Sequence, residues 1–436
     1  MTEHSKQDAA GGKRSVKSYR GRHRRMSDEA AHDNGKPFDP PPILEHPLVC
    51  SAEPALIDTP EKLADAVDHL RSAGTFGYDT EFIGEDSYYP HLCVIQAATT
   101  ERVVLIDPLK IGDLSPWWTL LNDPTMCKIV HAGAQDIEPV YRLTGKPAAN
   151  LFDTQVVAGL VGLDYPLSLG NTIQAILGVE HDAGAKFSKW DRRPLTPQQI
   201  HYAAGDVRYL CAMHAWMHEK LDELGNRAFA EQACEELCDP QRYAFDPLAR
   251  KVKAKGVNKL SRKKRAVFNG LLLWREELSR KLNITPRGML ADEAVFEIAD
   301  TLPTDEGQIG AIKFVPRPIA EQHGGDIIQA IEAALAGPYP PKPTPPKHSR
   351  DTLRQAINEL WDRIAQACEA LSIAPTLITS KRELGPLLGA VLDGRPIPHL
   401  PVNTSWRKAV LGETIDDQAL IQNEELLSPA SEPGPQ

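Results

Sequence analysis

The chain has 436 residues, a formal charge of −10, and contents of 42% hydrophobic and 25% charged residues. This length predicts about two to four domains, and no apolar run reaches the roughly 18 residues that a membrane span needs. The acidic net charge argues against a protein that coats nucleic acid by bulk electrostatics. Seven scattered cysteines without a CxxC pair indicate neither a disulfide scaffold nor a zinc ribbon.

The first segment, residues 1–45, combines Gly, Ser, Pro, Lys and Arg with almost no apolar residues. Such a composition does not offset the entropy of ordering, so we predict a disordered tail. The segment also lacks the apolar core of a secretory signal, which favours a cytoplasmic protein. Residues 13–25 carry seven Lys or Arg and no acid, a run that either attracts phosphates or only keeps the chain in solution.

Residues 46–240 alternate short apolar runs with helical patterns. FGYDTEF, HLCVIQAA and RVVLIDPL are typical of strands, and they predict a β-meander. Further along, KIVHAG predicts a buried strand leading into a helix, LFDTQVVAGLVG a strand end and a helix, and TPQQIHYAAGDVRYLCAMHAWMHEKL one long helix. Strands first and strand–helix units afterwards predict an α/β domain with a mixed sheet flanked by helices.

The rest of the chain predicts helices only. Residues 245–335 contain two amphipathic segments, with Trp274 and neighbouring leucines as the expected core. The proline-rich residues 336–350 predict a stiff linker. Residues 351–420 repeat the order of helix, proline-containing turn and second helix, which predicts a second, related all-α domain, and residues 421–436 predict a disordered tail.

Five residues form a candidate catalytic set. Asp79 and Glu81 lie two apart in a predicted strand, so both side chains point to one face, and crowded carboxylates of this kind favour a divalent cation such as Mg²⁺ or Mn²⁺. Asp136 lies in the first turns of a predicted helix, where the helix dipole favours an anion. Tyr202 and Asp206 are four apart and share a helix face. Each alone also fits an ordinary surface or helix-end position, but together four acids suit phosphodiester hydrolysis with two metals.

Six segments in order, DTEF, YYPHLCVIQ, LIDPL, HAGAQD, FDTQ and RPLTPQQIHYAAGDVRYL, resemble the ribonuclease D family of DEDD exonucleases. The resemblance covers nearly all of residues 48–225. It implies an RNase H-like fold and the removal of nucleotides one at a time from RNA 3′ ends, with tRNA precursors as the substrate class.

The same resemblance assigns roles to the candidate set. It implies that Asp79, Glu81, Asp136 and Asp206 hold two Mg²⁺ or Mn²⁺ ions. It also implies that Tyr202, which stands four residues before the last Asp as in the tyrosine-bearing subclass, orients or helps to deprotonate the attacking water.

Other residues in the matched segments have weaker assignments. We expect His131 to be structural and Asp153 to act as a helix N-cap with a supporting role at most. Phe82 and Tyr88, beside the candidate strand, have faces that can stack on terminal bases, although packing within the protein is the default role for Phe82.

Charged residues outside the candidate set bear on RNA binding. After DTEF this chain has Glu85 and Asp86 where family members often have basic residues, and these acids would repel a phosphate unless they point away. Residues 250–265 carry nine Lys or Arg and no acid, which makes them the best local candidate for a nucleic-acid contact. The candidate contacts there are Lys251, Lys253, Lys255, Arg262, Lys263, Lys264 and Arg265.

The two helical modules resemble HRDC domains, one or two of which follow the nuclease in ribonuclease D relatives. The basic run favours RNA binding by the first module, whereas a structural role against the nuclease is expected for the less basic second one. Two alternatives remain: a DNA 3′-to-5′ exonuclease of the proofreading or helicase-associated type, because the same acids serve both polymers, and a non-catalytic RNA-binding scaffold. The sequence does not predict an oligomeric state.

Overall fold

The residues of the computed structural model fall into two compact units. The structure describes residues 40–84, 86–181, 188–243, 248, 256–340, 346–396, 402 and 405–412. Among the described residues, those within 40–83, 91–243 and 346–412 belong to the larger unit, and those within 84–90 and 248–340 belong to the smaller unit. Within the described ranges, no helix has the length and apolar content to cross a membrane.

Several predicted features lie outside the described residues. They are the basic run 13–25, the terminal segment 421–436, and Glu85, Lys251, Lys253 and Lys255. The described chain begins at Pro40, and Ile43 and Leu44 pack against the hydrophobic core of the larger unit. These two residues therefore have contacts that the predicted tail 1–45 did not include.

The larger unit is built on one mixed sheet of six strands. They are β1 (Ala55–Ile57), β2 (Thr75–Ile83), β3 (His91–Ala98), β4 (Val103–Ile106), β5 (Cys127–Val130) and β6 (Leu151–Asp153). Their spatial order is β1-β4-β3-β2-β5-β6. The strands β2, β3 and β4 form the predicted antiparallel meander, and the remaining pairings are parallel. The predicted fold class is confirmed, although β1 is too short to show a period and was not predicted.

Helices cover both faces of this sheet. They are α1 (Pro60–Ala73), α2 (Ser115–Asn122), α3 (Ala134–Thr144), α4 (Thr154–Ala158), α5 (Leu169–Leu177), α6 (Pro197–Arg208), α7 (Leu210–Leu224) and α8 (Arg227–Glu235). One face packs Phe76 and Tyr78 against Trp117 of α2, at ring-centroid distances of 6.0 and 5.5 Å. The other face packs against α4 to α8. Both sheet faces are thus shielded from water, as an α/β architecture requires.

The predicted single helix over residues 196–221 is instead two helices. Tyr209, with φ −90° and ψ −11°, separates α6 from α7. Just before the break, the buried guanidinium of Arg208 donates hydrogen bonds to the carbonyl oxygens of Cys50 and Ala52. This anchor fixes the end of α6, and the turn lets α6 cover β3 while α7 covers β2 and β5. Helical periodicity alone carries no signal for such a tertiary anchor.

The smaller unit is helical and has its own core. Its helices are α9 (Arg262–Leu282), α10 (Pro286–Met289), α11 (Asp292–Thr301), α12 (Glu306–Ala311) and α13 (Arg317–Ala336). Trp274 packs against this core as predicted, whereas Leu273 is exposed. Residues 84–90, which join β2 to β3, belong to this unit: the Tyr89 amide donates to Asn283 Oδ1 at 2.9 Å.

The last helices return to the larger unit. They are α14 (Arg350–Glu369), α15 (Pro375–Ile378), α16 (Lys381–Asp393) and α17 (Ser405–Leu411). The order of long helix, one-turn helix beginning at proline and second helix repeats that of α9, α10 and α11, as expected from the sequence.

These C-terminal helices share one hydrophobic core with the sheet unit. Leu360 and Trp406 belong to the same buried cluster as Ile129 and Leu160. Polar contacts support this packing, because the Asn226 side-chain amide donates to the carbonyl oxygens of Leu160 and Leu371, each at 2.9 Å. The second helical module therefore completes the core of the sheet unit.

Removal of residues 346–436 is expected to abolish soluble expression or to lower Tm by more than about 10 °C, because removing even one large apolar side chain from a core costs about 2–5 kcal/mol. Soluble yield and Tm measure this. A shorter truncation that removes residues 421–436, for which the composition predicts a disordered tail, is the control and should leave both unchanged. A fully stable chain without residues 346–436 would contradict the shared core.

Candidate active site

Two of the candidate acids lie on the central strand β2. Asp79 and Glu81 share one face, and the register pairs them with Gln96 and Val94 of β3. A β-bulge lies between Glu81 and Phe82. Bulges next to active sites change the direction of the adjacent side chains. At Gly77 the strand β2 lies very close to α6, because a Cβ atom added to Gly77 would be 2.8 Å from the Val207 carbonyl oxygen.

Asp136 comes from the neighbouring parallel strand. β5 ends at Val130, and α3 begins four residues later, with Asp136 buried in its first turn. The strand β2 holds this turn in place, because the Tyr78 hydroxyl donates to the Asp136 carbonyl oxygen at 2.8 Å and the Thr80 hydroxyl donates to the Asp136 carboxylate. Asp136 therefore lies at the carboxyl end of a parallel strand pair, where open α/β sheets bind ligands.

The remaining candidates lie on α6. A capping box between Thr196 and Gln199 starts this helix, and Tyr202 and Asp206 follow on one face, both largely buried. The sequence analysis missed His181, whose Nε2 lies 3.2 Å from Asp206 Oδ1 and whose ring meets Tyr202 edge to face at 6.2 Å.

The candidate acids lie close enough for their charges to raise the pKa values of Asp79 and Asp136. Burial raises the pKa of the Asp79 carboxyl well above its usual range, and the charges of Asp136, Asp206 and Glu81 raise that pKa further. Burial also raises the pKa of Asp136 to about 7, although the hydrogen bond from Thr80 opposes the shift. The free energy of placing several negative charges in one buried site is thus unfavourable.

Tyr202 stays protonated in this environment. Burial raises the pKa of its hydroxyl far above 10, and the charges of Asp206, Glu81 and Asp79 act in the same direction. A neutral phenol donates a hydrogen bond and does not accept a proton as a base. The protonated hydroxyl of Tyr202 is therefore a hydrogen-bond donor.

The chemistry of this donor set fits a hard divalent cation. Carboxylate oxygens are the preferred ligands of Mg²⁺ and Mn²⁺, and a cation would relieve the repulsion that raises the Asp79 pKa. Over the described ranges, no three His, Cys, Asp or Glu side chains already form a ligand group. Asp136 accepts the hydrogen bond from Thr80 instead, and Asp206 lies beside His181.

The raised pKa values predict a pH-dependent response to metal. A carboxyl whose pKa is raised on folding contributes stability that is present at low pH and is lost as pH rises through its folded pKa, about 7 for Asp136. A cation that neutralises the charge offsets this loss. The increase in Tm on adding Mg²⁺ should therefore be larger at pH 8 than at pH 5, as measured by differential scanning fluorimetry. An equal increase at both values would contradict the shared carboxylate site.

Two residues from the matched segments have structural roles. The Asp153 carboxylate caps α4 through the amides of Gln155 and Val156, and it also accepts hydrogen bonds from the amides of Ala132 and Gly133. This confirms the predicted N-cap, and it further ties α4 to the loop before α3.

His131 bonds through both ring nitrogens, Nδ1 to Thr154 Oγ1 at 2.9 Å and Nε2 to the Leu167 carbonyl oxygen at 3.0 Å. Such a ring is held by the fold, in agreement with the structural role that we expected for it.

The segment before α6 is held by an ion pair that the sequence analysis did not identify. Arg193 forms two bonds with the Asp107 carboxylate, at 2.6 and 2.8 Å, and donates to the Cys93 carbonyl oxygen at 2.7 Å. Bidentate pairs of this kind are strong and directional. They fix the approach to Thr196, and therefore the position of the helix that carries Tyr202.

The predicted base-stacking residues have different surroundings. Phe82 is half-buried beside the bulge. Tyr88 lies in the smaller unit, where its hydroxyl donates to Glu276 and accepts from Arg280 Nε at 2.9 Å, and Arg280 also covers its ring at 5.7 Å. Tyr88 thus anchors its loop to α9, and base stacking stays a prediction for both aromatic residues. The backbone carbonyl of Asp86 accepts from the Thr285 amide at 3.3 Å.

The comparisons with known proteins agree with this geometry. The sequence pattern of the 3′-5′ exonuclease family matches residues 54–222, and that of the HRDC domain matches residues 264–331. Ribonuclease D of Gluconacetobacter diazotrophicus is 34% identical over 367 residues, which are 83% of this chain and 91% of that protein. Ribonuclease D of Desulfotalea psychrophila is 34% identical over 373 residues, which are 82% of this chain and 96% of that protein.

A solved structure gives the same result for the fold. The crystal structure of Escherichia coli RNase D, described as an exoribonuclease involved in structured RNA processing, matches with a TM-score of 0.73 and 26% identity. The match covers 86% of this chain and 99% of that one.

The sheet with its carboxylates and the matched exonuclease pattern define the class as a 3′-5′ exonuclease that carries an HRDC domain. Within that class, the chain belongs to the ribonuclease D family. The predicted resemblance and the prediction of a 3′-5′ exoribonuclease are confirmed, and this family of exonuclease domains depends on divalent metal.

Proposed function

We propose that this exoribonuclease trims 3′ extensions from structured RNAs, with tRNA precursors as the principal substrate class, by two-metal phosphodiester hydrolysis. The observation that carries the proposal is the group of carboxylates around Asp79: the charges of Asp136, Asp206 and Glu81 raise the pKa of Asp79, and the charge of Asp206 also raises that of Asp136. The described role of the Escherichia coli relative in structured RNA processing supports the substrate class.

Asp79, Glu81, Asp136 and Asp206 would hold two Mg²⁺ or Mn²⁺ ions, with Asp136 turning from its bond to Thr80. When bound, the metals activate water and stabilise the leaving oxygen. The chain itself supplies position: β2 and α3 hold three of the acids, and α6 holds the fourth.

Tyr202 would orient the attacking water through its neutral hydroxyl. Replacement by Phe removes this hydrogen bond while keeping the ring contacts with His181 and Trp190. We expect kcat for RNA shortening to fall about 10²-fold, with KM and Tm nearly unchanged, in single-turnover and steady-state assays. The pH profile should keep its shape, because Tyr202 does not titrate in the assay range. A shift of the basic limb in Tyr202→Phe would indicate proton transfer by the tyrosine instead.

RNA contacts are proposed at the start of α9. Arg262, Lys263, Lys264 and Arg265 occupy the first turn of this helix, where the helix dipole disfavours cations. Lys264 pairs with Asp300 at 2.7 Å, and Lys263 is exposed. Basic residues in an electrostatically unfavourable position favour binding of an external anion, and a phosphate backbone supplies one.

Product analysis tests the proposed function. A 5′-labelled tRNA-like RNA with a 3′ extension and its DNA counterpart are incubated with the protein in Mg²⁺, Mn²⁺ or EDTA. We expect stepwise shortening of the RNA that stops at the mature 3′ end and requires metal. Equal or faster shortening of DNA would favour the DNA exonuclease, and binding of RNA without shortening would favour the scaffold.

A further inference from the structure

Gln96, in the middle of β3, is a buried polar residue with no identified role. Its exposed fraction is 0%, and neither Nε2 nor Oε1 has a hydrogen-bond partner in the part of the chain that the structure describes. A buried amide without a partner destabilises the folded state, because it has lost its hydrogen bonds to water. Proteins satisfy most such groups, so this exception calls for a physical explanation.

The strand register places Gln96 beside the catalytic carboxylates. Gln96 faces Asp79 directly across the antiparallel pair β2 and β3. Side chains of facing residues lie on the same side of a sheet, with Cβ atoms about 4.5–5.5 Å apart. Val94, two residues earlier on this face, packs with Tyr202 and Ala203 of α6. Gln96 therefore lies on the sheet face that α6 covers, opposite Asp79.

We propose that Gln96 is a positioning residue for Asp79, donating a hydrogen bond from its amide to the Asp79 carboxylate when the carboxylates hold divalent metal. This inference rests on the proposed two-metal function. A donor to the outer oxygen of a metal-ligating carboxylate fixes the orientation of that ligand, and loss of such a partner typically weakens metal binding about 10- to 100-fold.

Gln96→Leu tests the proposal, because leucine has a similar volume and removes only the amide. Without metal, the variant should gain about 2–5 °C in Tm, since an unsatisfied polar group is lost. With metal, its dissociation constant for Mn²⁺, measured by calorimetry, should rise about tenfold. The KM for RNA should stay unchanged while kcat falls.

Ile95→Val is the matched control, since Ile95 is a fully buried neighbour on the opposite face of β3. It should lower Tm slightly and leave Mn²⁺ affinity unchanged. If Gln96 has only a structural role, Gln96→Leu should behave like Ile95→Val, with a lower Tm and an unaltered Mn²⁺ affinity. That result would overturn the proposal. Failure of both Gln96→Leu and Gln96→Met to fold would overturn it as well, because the amide would then be required without metal.

The unaltered protein separates this inference from the function on which it rests. If the unaltered protein neither binds Mn²⁺ nor shortens RNA, the two-metal function itself fails. If it does both, and Gln96→Leu binds Mn²⁺ equally well, only the role of Gln96 is refuted.

Discussion

Asp206→Asn is expected to slow metal-dependent shortening of RNA by about 10³-fold or more, because one ligand of the proposed metal site loses its charge. Asp206 is only 5% exposed, and its charge contributes to the raised pKa values of both Asp79 and Asp136. Removing that charge also relieves repulsion, so the metal-free variant should have an unchanged or higher Tm. Single-turnover product analysis and Tm without metal measure the two effects.

The matched control is Asp68→Asn on α1, whose side chain is 78% exposed and pairs only with Arg71 at 3.3 Å among the described ion pairs. It should leave rate and Tm unchanged. A variant at Asp206 that retains full metal-dependent activity would remove this residue from the metal site. Loss of activity together with a large drop in Tm would instead assign Asp206 to the stability of α6.

Asp292→Ala is expected to destabilise the helical unit by about 3–5 kcal/mol, because it leaves a buried guanidinium without its carboxylate. The side chains of Arg275 and Asp292 are 6% and 5% exposed and lie 2.9 Å apart. Arg275 keeps a bond to the Leu290 carbonyl oxygen at 2.7 Å, which does not neutralise its charge. Hydrogen exchange of α9 and α11 by mass spectrometry measures the loss within this unit.

Two further variants separate burial from charge pairing. The double variant Arg275→Met with Asp292→Leu removes both charges and should recover most of the lost protection, since apolar replacements of buried pairs are often neutral. Glu321→Ala breaks the pair with Arg317, in which the side chains of Arg317 and Glu321 are 88% and 60% exposed, and should leave the protection of the unit nearly unchanged. Equal effects of Asp292→Ala and Glu321→Ala would contradict the importance of burial.

The order of elements and the candidate acids were accessible from the sequence because they obey short-range rules. A period of two places Asp79 and Glu81 on one face of β2, and a spacing of four places Tyr202 and Asp206 on one face of α6. The mixed sheet was predicted because the sequence first shows consecutive strands and then strand–helix units. Their metal-binding and catalytic roles stay predictions until the variants are measured.

The features that the sequence analysis missed depend on contacts between distant segments. His181 meets Asp206 from the loop after α5, and Arg193 meets Asp107 across 86 positions. In the sequence, Gln96 is one polar residue in an apolar strand. Only the register of β2 and β3 shows that it lies opposite Asp79. The break at Tyr209 depends on the buried anchor of Arg208. No local periodicity reports on such pairings.

The core shared between the sheet and the C-terminal helices has a consequence for synthesis of the chain. Ile129 and Leu160 pack in one cluster with Leu360 and Trp406, so the sheet unit lacks part of its interior until nearly the whole chain has been translated. The helical unit over residues 256–340 has a core of its own, made by contacts that are close in sequence. Units with local contacts fold faster than those that close long loops. On the ribosome, the middle of the chain should therefore reach its native state before the catalytic unit that precedes it.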